Sequence, residues 1–204
     1  MANSTSSSSR PFPVRRAAGI LAAAVLCASA NAQATAPRDG LHDFDFLIRP
    51  WHVHLRKLAH PLTGSTEWIE YEGTSVMTKI WGGRANMEEF KVTSIARDAN
   101  IALAAKRPSI EAQTLRLYDP DSGLWSIWGA DAAHGKLSGP PTVGAFHDGR
   151  GEFFDAEDFD GKSILVRYVW TQPTPTTARI EQSFSPDWGK SWEVNWICDL
   201  SPQP

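Results

Sequence analysis

Hydrophobic and polar residues alternate along most of the chain after residue 50. In residues 162–171, Ile164, Val166, Tyr168 and Trp170 fall on one face, and the intervening positions fall on the other. Residues 190–199 repeat this pattern, with Trp192, Val194, Trp196 and Cys198 on one side. A period of two over eight or more residues, rich in aromatic and β-branched types, predicts half-buried antiparallel strands.

The same pattern predicts about eleven strands joined by short turns. The other nine are expected at 51–58, 66–72, 74–81, 86–93, 112–118, 124–131, 142–147, 150–155 and 176–184. Turn sequences separate them, namely Glu72-Gly73, Asp119-Pro120-Asp121-Ser122-Gly123, His147-Asp148-Gly149, Asp160-Gly161 and Asp187-Trp188-Gly189. Strands in hairpin succession favour a closed barrel or a sandwich, and the absence of a fixed repeat argues against a propeller.

Two segments break the alternation. Residues 95–111 show no period of two, which predicts a long loop, with a helical turn around 100–105 as one option. Residues 40–51 carry Leu41, Phe44, Leu47 and Ile48 at helical spacing. We expect a short amphipathic turn there that plugs one end of the sheet structure.

The N-terminus has the pattern of a secretory signal peptide. Basic residues precede the short apolar run 17–28, and an Ala-Asn-Ala site ends at Ala32. We expect cleavage after Ala32, a linker over 33–40 and a single domain over 41–204, exported to the periplasm or beyond. The Arg15-Arg16 pair leaves the twin-arginine route open beside general export.

Charge and cysteine content narrow the expected partners. The mature chain would keep 172 of the 204 residues and a net charge of −6, because three of the 20 basic residues leave with the signal. That balance argues against nucleic acid and against an anionic membrane surface. No second apolar segment has membrane length, so we expect no membrane contact after signal removal. Only Cys198 remains, so no intramolecular disulfide is expected.

Tryptophan is the most informative count. All nine tryptophans lie beyond the signal, where such large side chains must be buried or stacked. This excludes disorder and fits one well-packed domain.

Residues 185–192 fit the Asp-box pattern S-x-D-x-G-x-x-W. The motif resembles a hairpin of propeller sialidases and other glycan-processing proteins. One copy favours a self-stabilised turn, in which the Asp caps, the Gly supplies the backbone angle and the Trp packs beneath.

His52 and His54 are the candidate metal ligands. They would share one strand face, a spacing used in barrel metal sites. Arg56 and Lys57 follow where a carboxylate ligand would be expected, and they oppose a bound cation. His60, His134 or His147 are open as third ligands, and no cofactor is otherwise implied.

Catalytic motifs are missing from the sequence. There is no G-x-S-x-G elbow and no phosphate-binding G-x-x-x-x-G-K segment. Cys198 shares a face with Trp192, Val194 and Trp196, which favours a buried and inert thiol. The acids Glu67, Glu70 and Glu72 are typical of a solvated strand face.

Strand arginines among aromatics indicate a ligand pocket instead. The candidate contacts are Arg116, Trp128, Arg167, Trp170, Glu181, Asn195 and Trp196. Strict alternation sets Trp128 opposite Trp125 and Asn195 opposite Trp196, so these cannot all point inward.

Five stretches carry a resemblance to a known family. They are DFDFLIRPWHVH (43–54), GSTEWIEYEGTSVM (64–77), GGRANMEEF (82–90), TLRLYDPDSGLWSIWGAD (114–131) and ARIEQSFSPDWGKSWEVNWICDL (178–200). The chain resembles an uncharacterised bacterial family of secreted, lipocalin-like (calycin-type) domains. The resemblance implies an all-β antiparallel barrel of about ten strands with a short N-terminal helix.

It also implies a structural pair at the barrel floor. Calycins begin with Gly-x-Trp, and the Trp stacks on an Arg from a late strand. Trp51 fits the Trp and Arg179 is the candidate Arg, while Arg49 and Pro50 replace the usual first two positions.

Three functional hypotheses follow. The first is a non-enzymatic protein that binds a small, partly apolar ligand in an aromatic-lined barrel. The second is an enzyme on the same barrel, carbohydrate-active or metal-dependent through His52 and His54. The third is a structural module whose barrel is filled by side chains.

Overall fold

The chain forms a closed antiparallel barrel of ten strands in sequence order. The computed structural model describes residues 39–95, 106 and 108–203. Its strands are β1 (Pro50–Leu58), β2 (Trp68–Ile80), β3 (Ala85–Ser94), β4 (Ser109–Asp119), β5 (Leu124–Asp131), β6 (Thr142–His147), β7 (Arg150–Phe159), β8 (Lys162–Thr174), β9 (Thr177–Ser185) and β10 (Glu193–Pro202). Each strand pairs with its neighbours in the chain, and β1 pairs with β10 to close the ring. The predicted all-β antiparallel barrel is confirmed.

Three predictions concern residues beyond this description. The signal peptide over 1–32, most of the linker over 33–40 and the helical turn around 100–105 lie outside the described residues. In the described part of the chain, the only helices are the short 3-10 turns Asp45–Leu47 and Trp81–Gly83, and neither has the length to cross a membrane.

The predicted turn at Gly73 is wrong, because β2 runs through it without a break. Gly73 pairs with Val53 on one side and with Val92 on the other. A Cβ atom there would lie 2.0 Å from the carbonyl oxygen of Lys91. Glycine is needed here for the close approach of two strands, so the strands predicted at 66–72 and 74–81 are one.

The Asp-box residues form a turn, and the last strand begins after this turn, at Glu193. Asp187 Oδ1 accepts hydrogen bonds from Ser185 Oγ at 2.9 Å and from the Ser191 amide at 2.8 Å. The hydrogen bond from Ser191 Oγ, followed by those from the Ser191 amide and Ser185 Oγ, lowers the pKa of Asp187 to about 2. Gly189 takes a φ of 90° within the turn. The strand predicted from 190 therefore begins three residues later.

Aromatic side chains fill one end of the barrel. The ends of β1, β4 and β5 bring Trp51, Tyr118 and Trp125 into this end, and Phe44 lies among them from the segment before β1. Trp125 Nε1 donates to the carbonyl of Gly40 at 3.0 Å, which fastens that segment across the end. Phe44 and Leu47 are 1% and 0% exposed, as expected for a plug, although the turn is 3-10 rather than α-helical.

Candidate ligand-binding cavity

The other half of the barrel interior is a cavity of about 1150 Å³. It extends to the ends of β1 and β7 and to the loop between β5 and β6, where Leu137 is 64% exposed. Small side chains leave this space open, since Ala112, Thr114 and Gly129 occupy inward positions of β4 and β5. The third hypothesis, a barrel filled by side chains, therefore describes the aromatic end and not this half of the interior.

A buried ion pair forms part of the cavity floor. Arg116 and Glu88 are 2% and 4% exposed, and Arg116 Nη2 donates to Glu88 Oε2. Arg116 Nη1 donates to Asn86 Oδ1 at 3.2 Å, and Ser75 Oγ donates to Glu88 Oε1 at 2.7 Å. The guanidinium carbon lies 5.2 Å from the centroid of the Phe44 ring, so Arg116 joins the polar floor to the aromatic end.

Two further carboxylates lie on the β7 wall of the cavity. Asp155 Oδ2 accepts a hydrogen bond from Thr142 Oγ1 at 2.7 Å, while its Oδ1 is buried without a partner among the described residues. Glu157 faces the cavity two residues further along β7. Desolvation raises the pKa of both groups, and the negative charge of Asp155 adds to the rise at Glu157.

A β-bulge in β10 turns two consecutive side chains onto the cavity wall. The pairing register between β9 and β10 shifts between Val194 and Trp196. Asn195 is the extra residue, and both Asn195 and Trp196 line the cavity. Strict alternation excludes this arrangement, and a bulge permits it.

Two hydrogen-bond donors on this wall lack partners. Within the described part of the chain, Trp170 Nε1 and Asn195 Nδ2 are buried and make no hydrogen bond. Each residue is 3% exposed. Buried donors without a partner are rare in folded proteins, so each of these two requires an explanation.

The structure divides the seven candidate contacts into two groups. Arg116, Trp170, Asn195 and Trp196 line the cavity, and their role as ligand contacts stays a prediction. Trp128, Arg167 and Glu181 do not line it, because alternation on β5, β8 and β9 gives the inward positions to Trp125, Tyr168 and Gln182.

The outward residues have partners of their own. The Arg167 guanidinium carbon lies 4.4 Å from the Trp192 ring centroid, on the outside of β8. Glu181 Oε1 lies 3.8 Å from Arg179 Nη1. Expecting these side chains in the cavity was therefore wrong.

Arg179 does not stack on Trp51. It donates to both carboxylate oxygens of Asp199, at 2.7 and 3.0 Å, on the outer face. The cation over Trp51 is Arg49, whose guanidinium carbon lies 4.0 Å from the ring centroid. The residue that replaces the usual glycine thus supplies the stacking arginine, while Trp51 is fully buried and donates to the Leu47 carbonyl at 2.9 Å.

His52 and His54 lie on the outer face of β1. Their Nε2 atoms lie 3.3 Å and 3.5 Å from carboxylate oxygens of Glu72 and Glu70, respectively. Among the residues that the structure describes, no group of three or more His, Cys, Asp or Glu is placed to hold a metal ion. Because they point outward from β1, the barrel wall separates the two histidines from the cavity.

Cys198 lines the cavity from β10 and is 1% exposed. Burial raises the pKa of its thiol well above the usual value. A buried thiol that resists ionisation is a poor nucleophile, which agrees with the expectation of an inert cysteine.

Sequence reasoning missed Glu88, Asp155, Glu157 and Gln182. The segment GGRANMEEF carries the signal for the first, since Asn86, Glu88 and Phe90 alternate on one face. FFDAEDF carries the signal for the next two, because Asp155 and Glu157 continue the face of the fully buried Phe153. Acids in phase with core residues thus mark the polar wall.

Comparisons with known proteins support the fold. No protein-family model and no curated protein matches the sequence. The structure is similar to that of an S-type phycobiliprotein lyase from Guillardia theta, with a TM-score of 0.53 and 9% sequence identity. The match covers 79% of this chain and 90% of the lyase chain. At this identity the likeness shows the fold alone, a lipocalin-like barrel.

Proposed function

We propose that this protein binds a small, partly apolar molecule in the cavity, as a binding protein and not as an enzyme. The observation that carries the proposal is the cavity of about 1150 Å³, whose wall holds buried polar atoms of Asp155, Trp170 and Asn195 that have no hydrogen-bond partner in the described part of the chain. The rest of the lining combines polar residues with apolar ones, among them Ile110, Ile127 and Phe184. Binding pockets of this size typically combine apolar walls with a few fixed polar groups.

A neutral fluorescent probe tests the proposal without assuming the ligand. We expect N-phenyl-1-naphthylamine to bind with increased emission and to take energy from the cavity tryptophans Trp170 and Trp196. Ala112→Phe places a ring in the cavity from an inward position of β4 and should weaken binding at least about tenfold, or 1.4 kcal/mol. Isothermal titration and probe fluorescence measure both effects.

Gln113→Phe is the matched control, because Gln113 is the exposed neighbour of Ala112 on the opposite face of β4. It adds the same ring outside the barrel and should leave binding unchanged. Absence of probe binding to the wild-type protein, or equal loss in both variants, would contradict a binding cavity.

We further propose that the protein is an exported member of the bacterial family of secreted calycin-like domains. The basic start, the apolar run 17–28 and the Ala-Asn-Ala site support export, and the five stretches quoted above support the family. Expression of the full chain in a bacterium should yield a periplasmic product that begins at Gln33. N-terminal sequencing checks this, and an intact N-terminus in the cytoplasmic fraction would refute it.

A further inference from the structure

The β7 wall of the cavity carries negative charge that the barrel leaves unbalanced. In the described residues, Glu88 pairs with Arg116, but neither Asp155 nor Glu157 takes part in an ion pair. Among the described side chains, the one that hydrogen-bonds Asp155 is the neutral Thr142. Asp155 is half-buried and Glu157 beside it is exposed towards the cavity opening. Two carboxylates on one wall repel each other, so a cation placed between them would be stabilised.

Aromatic rings border these carboxylates. Tyr168 and Phe159 pack against the buried cluster that contains Phe184, and the ring centroids of Phe159 and Phe184 lie 5.1 Å apart. Asp155 and Glu157 act electrostatically on Tyr168, where they add to the effect of burial and raise the pKa of its phenol. Ring faces attract organic cations, and the same rings offer an apolar surface to the rest of such a ligand.

Two buried hydrogen-bond donors elsewhere on the cavity wall provide an independent observation. Trp170 Nε1 and Asn195 Nδ2 are donors, each on a residue that is 3% exposed, and neither has a partner among the described residues. Donors are completed by an acceptor such as a hydroxyl or carbonyl oxygen. Lys57 and Lys136 also line the cavity, and among the described residues neither forms an ion pair with Asp155 or Glu157.

We infer that the cavity binds an organic cation, an amine with an apolar body whose ammonium group lies between Asp155 and Glu157. This inference rests on the proposed function and names its ligand class. The aromatic rings of Phe159, Tyr168 and Phe184 contact the apolar body. An oxygen of the ligand accepts from Trp170 or Asn195.

Three naphthalene probes that differ only in head group test the charge preference. They are 1-naphthylmethylamine as the cation, 1-naphthylmethanol as the neutral form and 1-naphthoate as the anion. Isothermal titration at pH 7 should show the amine binding at least about tenfold more tightly than the alcohol, and the anion binding most weakly. Equal affinities, or tighter binding of the anion, overturn the inference.

Isosteric variants locate the preference. Asp155→Asn with Glu157→Gln should remove the advantage of the amine over the alcohol, and Glu157→Gln alone should reduce it. Asp160→Asn is the control, because it removes the same charge from the adjacent β7–β8 turn at a residue outside the cavity lining and with a φ of 50° that Asn tolerates. A preference that survives in the double variant, or that Asp160→Asn also removes, refutes the assignment.

The neutral probe separates this test from that of the proposed function. N-phenyl-1-naphthylamine should bind the double variant and the wild-type protein alike. If it binds both and the charge preference is absent, the cation site is wrong and the binding cavity stands. If it binds neither, the cavity itself is refuted. The comparison of the three probes on the wild-type protein does not depend on the folding of any variant.

Discussion

Arg116→Met is expected to lower the free energy of unfolding by about 3–5 kcal/mol, because it leaves Glu88 as a buried charge without its partner. Glu88 is 4% exposed and, among the described side chains, would retain Ser75 as its hydrogen-bond donor. Methionine fills much of the volume of the arginine stem, so lost packing contributes less than the stranded carboxylate. Urea denaturation followed by tryptophan fluorescence measures the change.

A second substitution separates the charge effect from packing. Glu88→Gln in the Arg116→Met background keeps an acceptor for Ser75 and removes the buried charge. We expect it to restore most of the lost stability, since breaking a buried pair costs far more than replacing both members.

Arg179→Met provides the surface comparison. Its pair with Asp199 lies on the outer face, where the two side chains are 37% and 40% exposed, so the expected cost is about 0–1 kcal/mol. Equal losses in Arg179→Met and Arg116→Met would contradict the role assigned to burial.

The fold follows from the alternation of the strands, but the alternation does not always say which face is inside. On β8 the side chains of Ile164, Val166 and Tyr168 point into the barrel, and that of Arg167 points outward. The aromatic sequence neighbours of Arg167 nevertheless suggest a cavity residue. The Asp-box hairpin explains the ambiguity, because its Trp192 covers Arg167 from outside. A strand covered on both faces carries apolar residues on both, and its inward face cannot be read from composition.

The polar part of the cavity depends on register, which one sequence does not reveal. Glu88 and Arg116 are 28 residues apart and meet only because β3 pairs with β4 so that Asn86 lies opposite Arg116. The inward position of both Asn195 and Trp196 depends on a single bulge. Local pattern predicts which strands form, while the site is assembled from contacts between strands.

The arginine that stacks on Trp51 comes from a different part of the chain than the family resemblance predicts. Arg49 is two residues from Trp51, so the stacking cation comes from the same segment as the ring and not from a late strand. Arg179 is then available for Asp199 on the outside. The resemblance predicts Arg179 as the arginine on Trp51, whereas the structure has Arg49 there.

Phe44→Ala is expected to lower the free energy of unfolding by about 3–5 kcal/mol, the usual cost of removing a fully buried ring. Phe44 is 1% exposed and makes edge contacts with Trp125, Phe146 and Trp170 at centroid distances of 5.1, 5.0 and 5.9 Å. It also lies against Arg116, so its removal leaves a void beneath the buried ion pair. Denaturant unfolding of the purified variant measures the loss.

Phe154→Ala distinguishes this void from the general effect of losing a phenylalanine. Phe154 lies on the outer face of β7 and is 42% exposed, so its removal creates no enclosed space and should cost far less. Probe binding should survive in folded Phe44→Ala protein, because Phe44 does not line the cavity. Equal destabilisation by the two substitutions would contradict the role of the segment before β1 as the plug of the barrel.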